Sequence, residues 1–274
     1  MAYPTVSGPY GLKPVNLIGG QPFAGSTRMY PIIYGYATDI FYGDFVVLSR
    51  GSIQRATVTT GTGLNQTVGI FLGCSYTDPV TKQKRYAQYW PANTLAGDAQ
   101  AYVSDDPDAV FKAAMCTSGT TIGSASNAII GCNVSAINNS GNVNTGDSAN
   151  AVLVPSATPV TTTLPLRIVS VVPETAITLG TGTYSSISTA TVTLASALTF
   201  TPPVGTDVAS IAANGQIIAS GSFVSSVTNS TTIVLNQAPL TAFTAGATLV
   251  FTQYQEVLVK LNQGLHGYYS ATGA

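Results

Sequence analysis

From residue 67 to residue 76 the chain reads TVGIFLGCSY, an apolar run bounded by polar residues. The length of this run and its β-branched and aromatic residues favour a buried β-strand over a helix. A turn sequence, TDP, follows at residues 77–79, and the segment KRYAQYW at residues 84–90 leads back across a polar loop. Two such runs joined by a short polar loop predict a β-hairpin.

The same β pattern recurs in short segments on both sides of this hairpin. Strands are predicted at residues 45–48, 52–56, 101–103, 110–113, 166–172 and 256–261. Residues 117–163 are rich in Thr, Ser, Asn, Gly and Ala, which predicts short strands and long loops there. The sequence therefore predicts an all-β fold whose body, at residues 36–173 plus 254–274, is a small β-barrel or sandwich.

A second β unit is predicted between the strands at residues 166–172 and 256–261. The sequence TVTL at residues 191–194 matches TIVL at residues 232–235, and similar Ala, Leu-Thr, Phe-Thr and Gly positions follow both. Leu194 and Leu235 are 41 residues apart, and this offset predicts a tandem repeat of one β unit. A hairpin turn is predicted at Asn214 and Gly215, between the copies. Residues 174–253 are then an inserted β domain. The alternative is one continuous sandwich in which the repeat is coincidental.

Residues 1–35 are predicted to form an extended N-terminal arm. Proline recurs every few positions with glycine between, so neither a long helix nor a central strand fits. The segment is nevertheless too apolar for a solvated tail, which predicts that it lies on its own body or on a neighbouring molecule. The residues expected to make this contact are Tyr3, Pro4, Tyr10, Pro14, Phe23 and Tyr30.

The chain is poor in groups that could perform chemistry. Only 8% of its 274 residues are charged, the formal net charge is −1, and His266 is the single histidine. Between Thr175 and Gln255 the only acidic or basic side chain is Asp207. Because enzymes need titratable groups to move protons or hold metals, the composition predicts a protein without catalytic residues or cofactors. The balanced charge also predicts no binding to nucleic acid or to an anionic membrane.

The few candidate sites each have a structural interpretation. His266 lies in a Gly-Tyr-rich segment with no GxSxG motif to supply a serine nucleophile, which favours a structural histidine. The acidic cluster Asp105, Asp106 and Asp108 lacks the spacing of a calcium loop and is predicted to form a turn around Pro107. It also holds the nearest pair of carboxylates that a glycan hydrolase would need.

Two more groups of residues are interpreted in the same way. The basic residues Lys82, Lys84 and Arg85 adjoin Tyr86, Tyr89 and Trp90, an arrangement that can bind single-stranded nucleic acid. It is also typical of a solvated loop whose neighbouring aromatic residues alternate toward a core. The cysteines Cys74, Cys116 and Cys132 are odd in number and lack CxxC spacing, which predicts buried thiols. The N-terminus has no secretory signal pattern, so synthesis in a reducing cytoplasm is expected.

Several segments together resemble one family of structural proteins. They are VSGPYGLKPV at residues 6–15, FYGDFVV at residues 41–47, GIFLGCSY at residues 69–76, QYWP at residues 88–91 and LVKLN at residues 258–262. Over residues 1–173 and 254–274 the chain is similar to the capsid decoration, or cement, proteins of tailed bacteriophages. The resemblance rests on the order of β motifs rather than on residues with chemical roles.

This resemblance implies a virion structural protein on the outer surface of an icosahedral capsid. The implied partners are the major capsid protein and two further copies of the chain in a homotrimer, and the implied role is to bridge capsomers against the pressure of packaged DNA. The arm would then contact the capsid or a neighbouring subunit. The alternative function is that of a phage tail or fibre adhesin that binds host glycans, with the recognition face on residues 174–253. Exposed Tyr and Trp side chains of the chain could also form a sugar-binding face.

Overall fold

The structure is a computed structural model that describes residues 6–56, 67–155, 164–211, 218–238, 246–262 and 266. These residues form a nearly all-β protein, as the sequence predicts, with two short 3-10 helices at Asn127–Ile129 and Pro173–Thr175. The strands are β1 (Lys13–Leu17), β2 (Arg28–Pro31), β3 (Phe45–Ser49), β4 (Ser52–Arg55), β5 (Thr67–Thr77), β6 (Lys84–Ala87), β7 (Gln100–Ser104), β8 (Ala109–Ser118), β9 (Thr121–Ile122), β10 (Asn133–Val134), β11 (Ala136–Ile137), β12 (Ala151–Leu153), β13 (Leu166–Val171), β14 (Ala176–Ser188), β15 (Thr191–Leu194), β16 (Asp207–Ile211), β17 (Val224–Asn229), β18 (Thr232–Leu235), β19 (Thr248–Tyr254) and β20 (Glu256–Leu261).

The first sheet curves into a small barrel with the strand order β2-β7-β5-β3-β4, and β6 pairs with β5. A parallel bridge between Ile32 and Ile53 joins the two ends of this sheet. The barrel interior is filled by buried side chains that include Val46, Phe71 and Trp90. The predicted hairpin of β5 and β6 is present, with Cys74 opposite Ala87. A small barrel of this kind needs no ligand or metal to fill its centre.

Strand β5 is buried along nearly its whole length, and two bulges reset the alternation of its side chains. The pairing shifts by one residue next to Val68 and again next to Leu72. Each bulge inserts one extra residue and reverses which face the following side chains point to. Val68, Phe71 and Cys74, spaced three apart, therefore all enter the barrel core. The neighbouring Ile70 points outward into a second core.

The turn between β3 and β4 follows from two residues in the left-handed region. Arg50 has a φ of 50° and Gly51 a φ of 79°. Positive φ at both central residues is the type I′ pattern, whose twist matches that of two-residue hairpins. The turn and both of its flanking strands lie where the sequence predicts them.

The second sheet packs on the outside of the barrel. Its strand order is β10-β13-β20-β8-β12-β11, and β1 and β9 also pair with β8. Phe45 and Ile70 from the barrel meet Phe111, Met115 and Val259 from this sheet in one buried cluster. Phe45 faces this cluster while the next residue, Val46, faces the barrel interior, as the two-residue period of a strand requires.

The third sheet is formed by the chain between β13 and β20, which are antiparallel neighbours in the second sheet. Its strand order is β16-β19-β14-β15-β18-β17, and it has a buried cluster of its own that includes Tyr184, Val192, Ile233 and Phe251. A backbone bridge from Asp207 to Phe223, with a hydrogen bond from Val208 N to Ser222 O at 2.9 Å, links the two outer strands. The sheet is therefore a nearly closed barrel.

The 41-residue offset reappears in the pairing of this third sheet. Val192 lies opposite Ile233, and Ala209 lies opposite Val250, so residues 41 positions apart pair directly. Antiparallel pairing of equivalent residues places an approximate two-fold axis through both pairs. Two equivalent hydrogen bonds follow this symmetry. Leu194 N donates to Thr231 O at 2.8 Å, and Leu235 N, 41 positions later, donates to Ala190 O at 2.9 Å. The hairpin predicted at Asn214 and Gly215 lies outside the described residues.

The N-terminal segment follows the surface of its own body from Val6 onward. It contains two short strands, β1 on β8 and β2 on β7. Pro14 lies in β1 next to a register shift, consistent with a residue that cannot donate to a sheet ladder. Leu12, between Gly11 and β1, is fully buried in the cluster between barrel and second sheet. Residues 6–35 therefore lie on their own body, which is one of the two placements that the sequence left open, and we call this segment the strap.

Candidate functional site

Two of the sequence motifs meet at the point where the strap joins the body. Leu12 N donates to Gly43 O at 3.1 Å, so the GPYGL and FYGDF segments run backbone against backbone. A Cβ atom on Gly43 would lie 2.8 Å from Leu12 N, and Gly43 has a φ of +93°. Both observations require glycine at this position. The motifs that carry the family resemblance thus have a packing role.

A buried carboxylate stabilises this junction. Asp44 has no exposed surface and accepts hydrogen bonds from Phe41 N at 2.9 Å, Ser148 Oγ at 2.6 Å and Asn150 Nδ2 at 3.0 Å. Its Oδ2 also forms an ion pair with Arg55 Nε at 3.0 Å. Burial raises the pKa of the Asp44 carboxyl, and Arg55 and the hydrogen bonds act in the opposite direction. Asp44 therefore has a structural role.

The predicted contact residue Tyr10 lies in a groove of about 960 Å³ between the strap and the second sheet. Its hydroxyl donates to Glu256 Oε1, and Lys112 Nζ lies 3.3 Å from Glu256 Oε2. Lys13 Nζ and Lys112 Nζ lie 5.4 Å and 5.7 Å from the centre of the Tyr10 ring. Burial, reinforced by the bond to Glu256, raises the pKa of Tyr10, so its phenol remains a donor. Tyr10 holds the strap to its own chain.

The other predicted contact residues occupy different environments. Pro14 and Phe23 are half-buried on the strap, and Tyr3 and Pro4 lie outside the described residues. Tyr30 corrects the expectation of a surface contact, because its side chain is buried in the barrel. Its hydroxyl donates to Asp105 Oδ2 at 2.7 Å. The alternation along β2 turns Tyr30 inward and its neighbours outward.

An exposed apolar patch follows directly after β2, formed by Ile33, Tyr34 and Leu95. These side chains are 49%, 62% and 54% exposed. Gly35 N donates to Thr94 O at 3.2 Å, which brings the two chain segments of the patch together. None of these residues is among the contact residues predicted from the sequence. The alternation of residues 29–33 could have indicated Ile33, because every second side chain faces outward if Tyr30 and Ile32 face the core, but it does not indicate Tyr34 or Leu95.

His266 and the acidic cluster form a buried structural contact. His266 is buried and pairs with Thr67 through a backbone bridge. Burial lowers the pKa of His266, and the nearby Asp105 carboxylate acts in the opposite direction. Asp105 also forms an ion pair with Arg28 Nε at 3.1 Å. The predicted turn follows, with Asp108 N donating to Asp106 Oδ1 at 2.8 Å. These groups lie apart from the residues that line the Tyr10 groove.

Two basic residues of the β5–β6 hairpin, Lys84 and Arg85, are paired with carboxylates. Lys84 Nζ lies 2.9 Å from Asp98 Oδ2, and Arg85 Nη1 lies 3.0 Å from Asp78 Oδ2. Trp90 is fully buried, with its ring edge-on to that of Tyr76 at 5.3 Å. Lys84 and Arg85 therefore each have a neighbouring counter-charge, and Trp90 belongs to the barrel core. Tyr86 differs from the expectation of inward-facing aromatics, because it is exposed.

The cysteines are buried, as predicted, and burial raises the pKa of Cys74 to about 12 and that of Cys116 to about 11. Such thiols stay protonated and unreactive at neutral pH. Within the described residues no group of three or more His, Cys, Asp or Glu side chains is arranged to hold a metal ion. Nor does the described part of the chain contain a helix that is long and apolar enough to span a membrane.

Comparison with protein-family models and with curated proteins finds no match to this chain.

Proposed function

We propose that this chain is a virion structural protein that binds the outer surface of an icosahedral phage capsid and stabilises it by bridging capsomers. The observation that carries the proposal is the exposed apolar patch of Ile33, Tyr34 and Leu95. Exposed apolar groups held on a rigid scaffold are typical of protein-binding surfaces. The segment that carries most of the patch belongs to the N-terminal region in which the sequence resembles cement proteins.

The strap is already held to the body, so the patch should lose little conformational entropy when it binds a partner. Tyr10 is bonded to Glu256, Leu12 N to Gly43 O, and Ile32 bridges to Ile53 across the barrel seam. A surface that is already ordered loses less conformational entropy on binding. Burying the exposed halves of three apolar side chains contributes roughly 1 kcal/mol each. Many identical contacts over one shell would then resist internal pressure.

The partners in this proposal are the major capsid protein and other copies of the chain, as a homotrimer on the particle. The formal net charge of −1 favours contacts through shape and apolar area over long-range attraction. Binding to the shell should therefore depend little on salt between about 0.05 and 0.5 M, in contrast to contacts based on counter-charges.

The experiment adds purified chain to shells prepared without it and measures binding and the temperature at which DNA is released. Wild-type chain should bind and raise the release temperature. The double variant Ile33→Asp, Leu95→Asp should bind at least tenfold more weakly. Val80→Asp is the matched control, since Val80 is 86% exposed on the β5–β6 loop and outside the patch. Equal binding by all three proteins, or no effect on the release temperature, would reject the proposal.

The second candidate function is a tail or fibre adhesin. The observation that favours it is the nearly closed barrel of the third sheet, in whose described part the exposed side chains are mostly Ser and Thr. Cryo-EM of complete particles separates the two functions, because the first requires density on the head shell and the second requires density on the tail.

A further inference from the structure

A groove lined by three tyrosines lies on the outer face of the first barrel. Tyr42, Tyr86 and Tyr102 line it together with Leu72 and Gln88. Its volume is about 460 Å³. We call this feature the tyrosine groove. It is separate from the apolar patch of Ile33, Tyr34 and Leu95, because the two share no lining residue.

The strand register explains why the groove is open. Tyr102 lies opposite Gly73, and Tyr86 lies opposite Ser75, so two tyrosines flank one short stretch of β5. Gly73 has a φ of +140°, and a Cβ atom there would lie 3.0 Å from Ala87 O. The bulge next to Leu72 and the glycine leave a floor of backbone where a side chain would otherwise stand. Tyr102 Oη donates to Ser75 Oγ at 3.2 Å, which orients its ring.

The lining of the groove is neutral and polar at its rim. The residues around it are Tyr, Leu, Gly, Cys, Ala and Gln, with no charged side chain among them. Gln88 Nε2 donates to Asp147 Oδ1 at 3.0 Å, and Lys13 Nζ lies 3.4 Å from the same oxygen. Lys13 and Asp147 therefore compensate each other beside Tyr42. An anionic ligand would find no cationic side chain among the lining residues.

We propose that the tyrosine groove binds a neutral hexose unit of a cell-surface polysaccharide. One face of a pyranose ring carries C–H groups that pack on an aromatic ring, and its hydroxyls need amide and phenol partners. Tyrosine supplies both an apolar face and a polar tip at low entropic cost. Tyr86, which is 77% exposed, offers the most open ring for such stacking. The Gln88 side chain and the phenol hydroxyls supply hydrogen-bonding groups at the rim.

This inference goes beyond capsid binding, since it assigns a ligand to a different surface. A single hexose in a shallow groove would bind weakly, with a Kd of about 1 mM. Many copies on one particle would convert weak single contacts into strong adhesion to a polysaccharide layer. The same chain would then add both stability and surface retention to a particle.

Proline-rich peptides are the competing ligand class, because they also dock into aromatic grooves on small β domains. The sugar is favoured because the groove is a single depression whose base is the backbone at Gly73 and whose rim carries hydrogen-bonding groups. A peptide in polyproline conformation would instead use successive slots between parallel rings.

The experiment applies the labelled full-length chain to a glycan array that holds neutral, sialylated and sulfated saccharides, and to a set of proline-rich peptides. Wild-type chain should bind neutral hexose-containing saccharides and neither of the other classes. The strongest neutral saccharide is then titrated against variants by NMR. Tyr86→Ala and Gln88→Ala should each weaken binding, Tyr86→Ala by at least tenfold, whereas Tyr86→Phe should stay within about threefold of wild type.

Val80→Ala is the control, because Val80 is 86% exposed and lies outside both the groove and the apolar patch. It should bind saccharide as the wild type does. All these side chains are exposed, so loss of folding does not explain a loss of binding. The inference would be overturned if the chain bound only anionic saccharides, only peptides or nothing. It would also be overturned if Tyr86→Ala bound the saccharide as the wild type does. These outcomes are independent of the capsid experiment, which uses other residues.

Discussion

Replacing Asp44 with alanine tests the junction on which the strap and both body sheets depend. The wild-type carboxylate accepts three hydrogen bonds and pairs with Arg55 while having no exposed surface. Asp44→Ala leaves the buried donors of Phe41, Ser148 and Asn150 without this acceptor and the guanidinium without its counter-charge. Removing one partner of a buried ion pair costs about 3–5 kcal/mol.

That loss is a large part of the roughly 5–15 kcal/mol by which a domain is stable. At about 2–4 °C per kcal/mol for a chain of this size, the melting temperature should fall by roughly 6–20 °C. Urea denaturation followed by tryptophan fluorescence is a suitable assay, because the only tryptophan, Trp90, is buried in the adjacent barrel. The midpoint should shift while the slope stays similar.

Asp108→Ala is the matched control for this substitution. Asp108 forms an ion pair with Lys260 at 3.4 Å, but its side chain is 54% exposed. Exposed pairs contribute about 0–1 kcal/mol, so the control should unfold close to the wild type. If Asp44→Ala were no less stable than Asp108→Ala, the reasoning that the buried carboxylate holds the junction would be refuted.

Two further substitutions give distinct expectations. Gly43→Ala places a Cβ atom 2.8 Å from Leu12 N at a positive φ and should lower the free energy of unfolding by about 1–3 kcal/mol. Gly97→Ala, where no atom lies within 4 Å of the added Cβ, should be neutral or slightly stabilising in the same denaturation assay, and equal stability of the two variants would contradict the packing argument. Burial raises the pKa of Asp207 above its usual 3.8, so the folded chain binds this proton more tightly than the unfolded chain. The resulting stability is complete below about pH 3.8 and is lost as the pH rises through the folded pKa. The free energy of unfolding of the wild type minus that of Asp207→Asn, from urea titrations at several pH values, should therefore fall with rising pH, and a constant difference would count against it.

Much of the fold follows from local patterns in the sequence. The buried strand β5, the hairpin at Arg50 and Gly51, and the strands β13 and β20 all lie where apolar periodicity and turn residues predict them. The 41-residue offset is also readable, because it depends on similar residues at matching positions. That the two copies pair with each other across an approximate two-fold axis depends on the register of their strands.

The candidate surfaces were harder to predict, because each depends on which way a side chain faces. Tyr30 was expected at a contact surface but points into the barrel, while Tyr86 was expected inside and is exposed. A shift of one residue in strand alternation reverses every following side chain. The bulge next to Leu72 sets the face of Ser75 and therefore that of Tyr86, its partner on β6, and the position of a bulge depends on the partner strand.

The sequence by itself determined the class of fold and the scarcity of titratable groups, since both depend on residue types and on spacing along the chain. The tertiary structure alone decided that Gly11 and Gly43 touch, that Asp44 meets Ser148 and Asn150, and that three tyrosines surround Gly73. Asp44 and Ser148 are 104 positions apart, and only the packing of the two body sheets brings them within hydrogen-bonding distance. A carboxylate or a phenol acquires its role from such neighbours, because burial and hydrogen bonding depend on proximity in space.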